Sequence, residues 1–136
     1  MNAVRTMFGG GANLENRVIL FEDDDINRKT LTMLMERMGY EVTTETDPES
    51  ALRTFRDDPG RFDLLVTDMT MPHMDGDALA REVLALRPEM PVILCTGYNE
   101  KISEEKAQAL GIRKYIEKPI DRHALAKAIR EALAGQ

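Results

Sequence analysis

The chain has 136 residues, 43% of them hydrophobic and 31% charged, which suits one domain with its own core. Its 24 acidic and 18 basic side chains give a formal charge of −6, which argues against nucleic acid or an anionic membrane surface as a direct partner. No apolar run approaches the roughly 20 residues that span a bilayer, the first residues lack a secretory pattern, and Cys95 is the one cysteine. We therefore expect a cytoplasmic protein without membrane insertion or a disulfide.

The first 16 residues do not resemble a folded segment. Gly9, Gly10 and Gly11 stand in a row, and such a run has many unfolded conformations to lose on ordering. We expect a disordered N-terminal tail over residues 1–16 and one folded domain over residues 17–136.

From residue 17 onward, five apolar segments alternate with five amphipathic segments. The apolar segments are predicted strands at 17–22, 40–44, 63–67, 91–96 and 113–117. The amphipathic segments are predicted helices at 26–38, after 47, around 79–86, at 103–110 and after 121. A regular alternation of strand and helix is typical of a parallel sheet covered by helices.

The composition of the strands predicts their order in the sheet. Residues 18–21, 64–66 and 92–95 are continuously apolar, as expected for central strands that are covered on both faces. Residues 40–43 and 114–117 mix polar with apolar side chains, which is typical of edge strands. The predicted fold is therefore a doubly wound (βα)5 protein of α/β class with strand order 2-1-3-4-5, as in flavodoxin-like proteins, which bind ligands at the carboxyl ends of the strands.

Polar side chains stand at the carboxyl ends of these predicted strands. They are Glu22 to Asp25 after the first strand, Asp68 after the third, Thr96 at the end of the fourth and Lys118 after the fifth. Each has an ordinary explanation by itself, such as a helix cap or a solvated charge. The predicted topology nevertheless brings all of them to one edge of the sheet, where a ligand cleft is expected.

The clustered carboxylates predict a cation. Two like charges about 4 Å apart repel by roughly 4 kcal/mol at an effective dielectric constant near 20. Three carboxylates must therefore raise a pKa, separate, or hold a cation. Carboxylate oxygens in small number suit Mg²⁺, with Mn²⁺ as an alternative, whereas the twelve-residue pattern of a calcium loop is absent from the sequence.

Four segments of this chain resemble the receiver domain of response regulators in two-component signalling. They are VILFEDDDINR at 18–28, LLVTDMTMPHMDG at 64–76, PVILCTGYNE at 91–100 and KYIEKPID at 114–121. The resemblance covers about residues 17–134, and the third and fourth segments are similar to receivers of hybrid histidine kinases. The chain is thus expected to be a free-standing receiver or a part of such a kinase, two alternatives that the sequence leaves open.

The resemblance implies a role for each polar group. Asp68 would accept a phosphoryl group from a phosphohistidine of a histidine kinase or phosphotransfer domain. The implied metal ligands are Glu22, Asp23, Asp68 and the backbone carbonyl of Thr70. Thr96 and Lys118 would contact phosphoryl oxygens, and Pro119 matches the position of a cis peptide bond that orients the lysine.

The resemblance also implies a conformational switch. Thr96 would move toward a new phosphoryl group, and Tyr115 matches the aromatic residue that follows this movement. Thr70 and Tyr98 would tune the hydrolysis of the phosphoryl group. The fourth helix, fifth strand and fifth helix would then report to an unknown downstream protein, and a weak homodimer stays open.

Three competing functions remain. A phosphatase with an aspartate nucleophile usually has a second acid two residues later, where this chain has Thr70. A flavin-binding module would place a cofactor phosphate beside four acidic residues, and a receiver that signals without phosphorylation would not need all of the polar groups. We therefore expect a signalling domain rather than an enzyme, one that catalyses only its own phosphorylation and dephosphorylation.

Overall fold

The computed structural model describes residues 17–97 and 102–135. The strands are β1 (Arg17–Phe21), β2 (Glu41–Glu45), β3 (Leu64–Asp68), β4 (Val92–Thr96) and β5 (Lys114–Glu117). The helices are α1 (Asp25–Arg37), α2 (Pro48–Asp57), α3 (Gly76–Leu86), α4 (Glu104–Ala109) and α5 (Arg122–Leu133). The predicted tail at 1–16 and Tyr98 lie outside the described residues. The predicted strand bounds differ from these by at most one residue at each end.

The five strands form one parallel sheet in the order β2-β1-β3-β4-β5, which confirms the predicted topology. In its centre Phe21 of β1 lies opposite Thr67 of β3, and Asp68 of β3 lies opposite Cys95 of β4. Because all of the pairs are parallel, the carboxyl ends of β1, β3, β4 and β5 meet at one edge.

Two apolar clusters cover the faces of the sheet. One packs α2, α3 and α4 against the sheet through buried residues such as Phe55, Leu79 and Ala107. The other packs α1 and α5 through residues such as Met35 and Leu125. Strands β3 and β4 are buried along their whole length, whereas β2 has no fully buried residue. The distinction between central and edge strands therefore follows the apolar composition of the strands, as predicted.

Side-chain caps begin four of the helices. Asp24 accepts a hydrogen bond of 2.8 Å from the Asn27 backbone N–H at the start of α1. Asp47, Ser103 and Asp121 cap α2, α4 and α5 in the same way. Each such cap stabilises its helix by about 1 kcal/mol. At α3, by contrast, Asp75 makes no side-chain capping bond. The first residue of α3, Gly76, instead contacts the backbone at the carboxyl end of β3.

The loop between β3 and α3 contains a strained residue that the sequence did not reveal. His73 has a φ of 75°, and the Met74 N–H donates a hydrogen bond of 2.9 Å to the Pro72 carbonyl, so His73 is the centre of a γ-turn. The side chain of His73 is exposed, as is that of His123. No helix among the described residues is long and apolar enough to cross a membrane.

Candidate functional site

Three carboxylates converge at the carboxyl edge of the sheet. Glu22 follows β1 directly, Asp23 comes next, and Asp68 is the last residue of β3. One ligand oxygen from each of these residues lies within 4.8 Å of the others. They meet because β1 and β3 are parallel neighbours in register at Phe21 and Thr67. The predicted juxtaposition of acidic side chains from separate strands is therefore present in the fold.

Glu22 is a buried carboxylate, with 1% of its surface exposed. Its Oε2 accepts a hydrogen bond of 3.2 Å from the Asp24 backbone N–H. Burial, followed by the charge of the neighbouring Asp68, raises the pKa of Glu22 to about 7. A cation bound beside Glu22 would compensate its charge and favour the ionised form of this carboxylate.

Lys118 supplies the positive charge of the site. Its ammonium forms an ion pair with Oδ1 of Asp68 and lies 4.0 Å from Oε1 of Glu22. Burial alone would lower the pKa of Lys118, but the hydrogen bond and charge of Asp68 outweigh it and raise that pKa. The pKa of Asp68 is also raised, in this case by burial, although the contact with Lys118 opposes this shift. The lysine is therefore charged at neutral pH.

The backbone around Lys118 connects β5 to β4. The Lys118 N–H donates a hydrogen bond of 2.6 Å to the carbonyl of Thr96, and the Lys118–Pro119 peptide bond is cis. Because Thr96 ends β4, this bond places the start of the β5–α5 turn beside the carboxylates. The lysine thus reaches Asp68 from the strand at the far edge of the sheet.

The charge balance of the site suits a divalent cation. Three ionised carboxylates and one ammonium leave an excess of negative charge, and like charges about 4 Å apart repel by roughly 4 kcal/mol at an effective dielectric constant near 20. Hard carboxylate oxygens from a few protein residues are the donor set that Mg²⁺ prefers, with water or phosphate oxygens completing its octahedral shell. The residues present therefore fit a magnesium ion.

Thr96 contributes a buried hydroxyl at the same edge. The residue is 1% exposed, and its Oγ1 has no hydrogen-bond partner within the described part of the chain. A buried polar group without a partner is unfavourable by about 1–3 kcal/mol, so such groups in native proteins call for an explanation. The hydroxyl is free to donate to a group that the protein itself does not provide.

The remaining predicted residues are less directly placed. Thr70 is exposed and follows Asp68 by two residues, while Tyr98 lies outside the described residues. Tyr115 is half-buried against the apolar cluster beneath α4, and its hydroxyl donates a hydrogen bond of 3.1 Å to the Ile102 carbonyl. Tyr115 therefore connects β5 with the segment that leads into α4.

Arg28 is a residue that the sequence reasoning did not single out. Its guanidinium pairs with the carboxylate of Asp25 and also donates a hydrogen bond of 3.3 Å to the backbone carbonyl of Glu22. The contact with Arg28 lowers the pKa of Asp25. An acidic and a basic residue three positions apart on a helix are the sequence signal for such a pair. Arg28 offsets the additional acidic charge that Asp25 places near the site.

Comparison with known proteins assigns the chain to a family. Residues 18–130 match the response regulator receiver domain. The response regulator receiver protein CpdR of Brucella abortus is 32% identical over 117 residues, which cover 86% of this chain and 96% of CpdR. The transcriptional regulatory protein ZraR of Escherichia coli is 36% identical over 121 residues, but the chain spans only 27% of its length.

Solved structures have the same fold. A response regulator receiver domain from Clostridium thermocellum superposes with a TM-score of 0.83 at 28% identity, covering 88% of this chain and 94% of that one. The receiver domain of a sensor histidine kinase from Pseudomonas aeruginosa, with a magnesium ion coordinated in its active-site cleft, gives a TM-score of 0.77 at 25% identity, covering 88% and 98%. The chain belongs to the response regulator receiver domains, the phosphoacceptor domains of two-component signalling.

Proposed function

We propose that Asp68 is the phosphoacceptor and that a histidine kinase or a phosphotransfer protein is the donor. The observation that carries this proposal is the position of Asp68, a buried carboxylate at the end of a central strand, paired with Lys118 and within 4.8 Å of two further acids. A carboxylate in such a position is a nucleophile beside the groups that offset the charge of an incoming phosphate.

In the proposed reaction an oxygen of Asp68 attacks the phosphorus of a phosphohistidine in line with the bond to the imidazole nitrogen. The oxygen–phosphorus bond forms, the phosphorus–nitrogen bond breaks, and the imidazole leaves with the electron pair. Charge in such transition states lies on the equatorial phosphoryl oxygens, so positioning and charge neutralisation supply most of the catalysis. Lys118 and the hydroxyl of Thr96 are the side chains that donate to these oxygens.

Magnesium is the proposed cofactor, with Mn²⁺ as its substitute. The carboxylates of Glu22, Asp23 and Asp68 would hold the ion, and the backbone carbonyl of Thr70 would add a further oxygen. When bound, the ion supplies positive charge to the phosphoryl oxygens. The donor set and the excess negative charge of the site support this assignment.

The protein acts on itself in this proposal, because the acceptor belongs to the same chain as the catalytic groups. Such a domain catalyses only its own phosphorylation and dephosphorylation, and water that reaches the aspartyl phosphate removes the phosphoryl group. Thr70 and Tyr98 would set how fast this happens. The family match favours signalling over the phosphatase and flavin-binding alternatives.

The proposed output runs through Thr96 and Tyr115 to the surface formed by α4, β5 and α5. Thr96 would turn toward the phosphoryl group, which gives its hydroxyl a partner, and Tyr115 would repack in the space beside β5. The phosphoryl group can favour the conformation with Thr96 and Tyr115 moved only to the extent that it interacts better with that conformation than with the starting one. A downstream protein, or a second copy in a weak homodimer, would recognise that surface, and a cytoplasmic location stays a prediction.

The test is phosphorylation by acetyl phosphate, followed by intact-protein mass. We expect one added phosphoryl group in the presence of Mg²⁺, stable in acid and lost in alkali, and none in EDTA. Asp68→Asn should abolish the addition. Asp57→Asn, which changes an exposed aspartate at the end of α2, is the matched control and should be phosphorylated like the wild type. Equal phosphorylation of Asp68→Asn would overturn the assignment of the acceptor.

A further inference from the structure

Gly76, the first residue of α3, lies directly against the main chain of Asp68. A Cβ atom built on Gly76 would lie 1.9 Å from the Asp68 carbonyl oxygen and 2.9 Å from its carbonyl carbon. The Gly76 N–H donates a hydrogen bond of 2.6 Å to the carbonyl of Met69. The first turn of α3 thus rests on the peptide groups at the carboxyl end of β3.

The atoms that a side chain would meet cannot move aside easily. The two nearest belong to the backbone of β3, which pairs with β1 and β4 on its two sides, and the third is Cδ1 of the buried Leu94 at 3.0 Å. Beyond the strand, the Met69 N–H donates a hydrogen bond of 2.9 Å to the carbonyl of Cys95. Since real Cβ contacts almost never fall under 3.0 Å, an added methyl group must shift either Asp68 or the start of α3 by about 1 Å.

Helix formation by itself does not explain a glycine at this position. Glycine inside a helix costs about 0.5–1 kcal/mol relative to alanine. The φ of Gly76 is not in the left-handed region, in contrast to Gly39, Gly111 and Gly135. The close approach of α3 to Asp68 is therefore the structural reason for the missing side chain.

We propose that Gly76 is a positioning residue for the phosphoacceptor, because the missing side chain lets α3 hold the main chain of Asp68 in its reactive place. This inference rests on the proposed role of Asp68. A misplacement of about 1 Å between reacting groups can slow an enzymatic reaction by about 100-fold. A methyl group at Gly76 therefore slows the transfer even where the fold survives.

The experiment compares Gly76→Ala with two controls. Gly60→Ala adds the same methyl group where its nearest contact is the Asp58 carboxylate at 3.7 Å. Val83→Ala weakens α3 from within the core and adds nothing near Asp68. The rate of phosphorylation is measured by intact mass with saturating Mg²⁺ and acetyl phosphate, and thermal unfolding is measured for each variant.

We expect Gly76→Ala to be phosphorylated at least tenfold more slowly than the wild type. Gly60→Ala and Val83→Ala should stay within twofold, although Val83→Ala unfolds at a lower temperature. A merely structural role of Gly76 would instead make it behave like Val83→Ala. A folded Gly76→Ala that reacts at the wild-type rate overturns the proposal. So does a variant that stays unfolded at low temperature in a stabilising osmolyte, since the glycine would then serve folding alone.

Backbone amide spectra separate this inference from the proposed function. In folded Gly76→Ala, the amide resonances of residues 68–70 should shift, whereas in Gly60→Ala they should not. If the wild type takes up no phosphoryl group on Asp68, the proposed function fails, yet the spectra still test the contact. If the wild type reacts and these resonances do not move in Gly76→Ala, the inference about Gly76 fails alone.

Discussion

The ammonium of Lys118, the residue that follows β5, forms an ion pair with the carboxylate of Asp68 at the end of β3, although β4 lies between these two strands. The long side chain of lysine crosses the end of β4, where Thr96 offers its backbone carbonyl to Lys118 and keeps its hydroxyl unpartnered among the described residues. The cation, the nucleophile and a hydrogen-bond donor are thus assembled by three parallel strands.

The stability of the metal-free protein should fall as the pH rises from about 5 to 8. The pKa of Glu22 is about 7 in the folded state and near its ordinary value of 4.5 in the unfolded state. At pH values between these two pKa values the folded state binds more protons than the unfolded state, so raising the pH favours unfolding. Urea unfolding in EDTA at several pH values should show that the free energy of unfolding falls by on the order of 2 kcal/mol between pH 5 and pH 8.

Glu22→Gln is the matched variant for this pH dependence. It keeps the shape of the side chain and removes its titration, so the free energy of unfolding should change less over the same pH range. An unchanged pH dependence in Glu22→Gln would mean that another group is responsible. The comparison at pH 8 should also show the variant to be the more stable protein, since it removes a charge next to Asp68.

Magnesium should stabilise the protein through Asp23 but not through Asp24. A ligand that binds only the folded state stabilises it by about 2.7 kcal/mol at a concentration 100 times its dissociation constant. Thermal unfolding with and without Mg²⁺ should show this shift for the wild type and lose most of it in Asp23→Asn.

Asp24→Asn is the control for that loss. Asparagine caps helices about as well as aspartate, so the hydrogen bond to the Asn27 N–H is retained while a neighbouring charge is removed. This variant should keep most of the shift caused by Mg²⁺. An equal loss in both variants would indicate that the ion responds to the total charge of the segment rather than to a ligand at Asp23.

The sequence alone predicts the strands and their order in the sheet well, because both depend on the apolar composition of the chain. Continuous apolar runs such as 92–95 can only be stable with both faces covered, so the strand order follows from them. The convergence of Glu22 and Asp68 follows from that order. Features of the backbone are not visible in the same way, because they do not change the pattern of apolar and polar residues. The approach of Gly76 to Asp68 and the γ-turn at His73 are two examples.

Arg87 should stabilise the end of the sheet that is remote from the site. Its guanidinium donates hydrogen bonds of 3.0 Å to the carbonyl of Pro59 and 2.6 Å to that of Phe62. Arg87→Met leaves both half-buried carbonyls without this donor, which should lower the free energy of unfolding by about 2 kcal/mol. Urea unfolding measures the loss, and the rate of phosphorylation should not change. Arg81→Met, at an exposed position of α3, should be nearly neutral.

Replacement by glycine should lower the stability of the protein at His123 but not at His73. His73 has a φ of 75° at an exposed turn, a conformation that costs a non-glycine residue about 1 kcal/mol and costs glycine much less. His73→Gly should therefore leave stability unchanged or raise it by up to about 1 kcal/mol, since the gain is offset in part by the greater freedom of the unfolded chain. His123 lies in the first turn of α5, where glycine should lower stability by about 0.5–1 kcal/mol. Thermal unfolding of the two variants decides the matter: a destabilised His73→Gly would show that the imidazole makes a contact that outweighs the strain of its backbone.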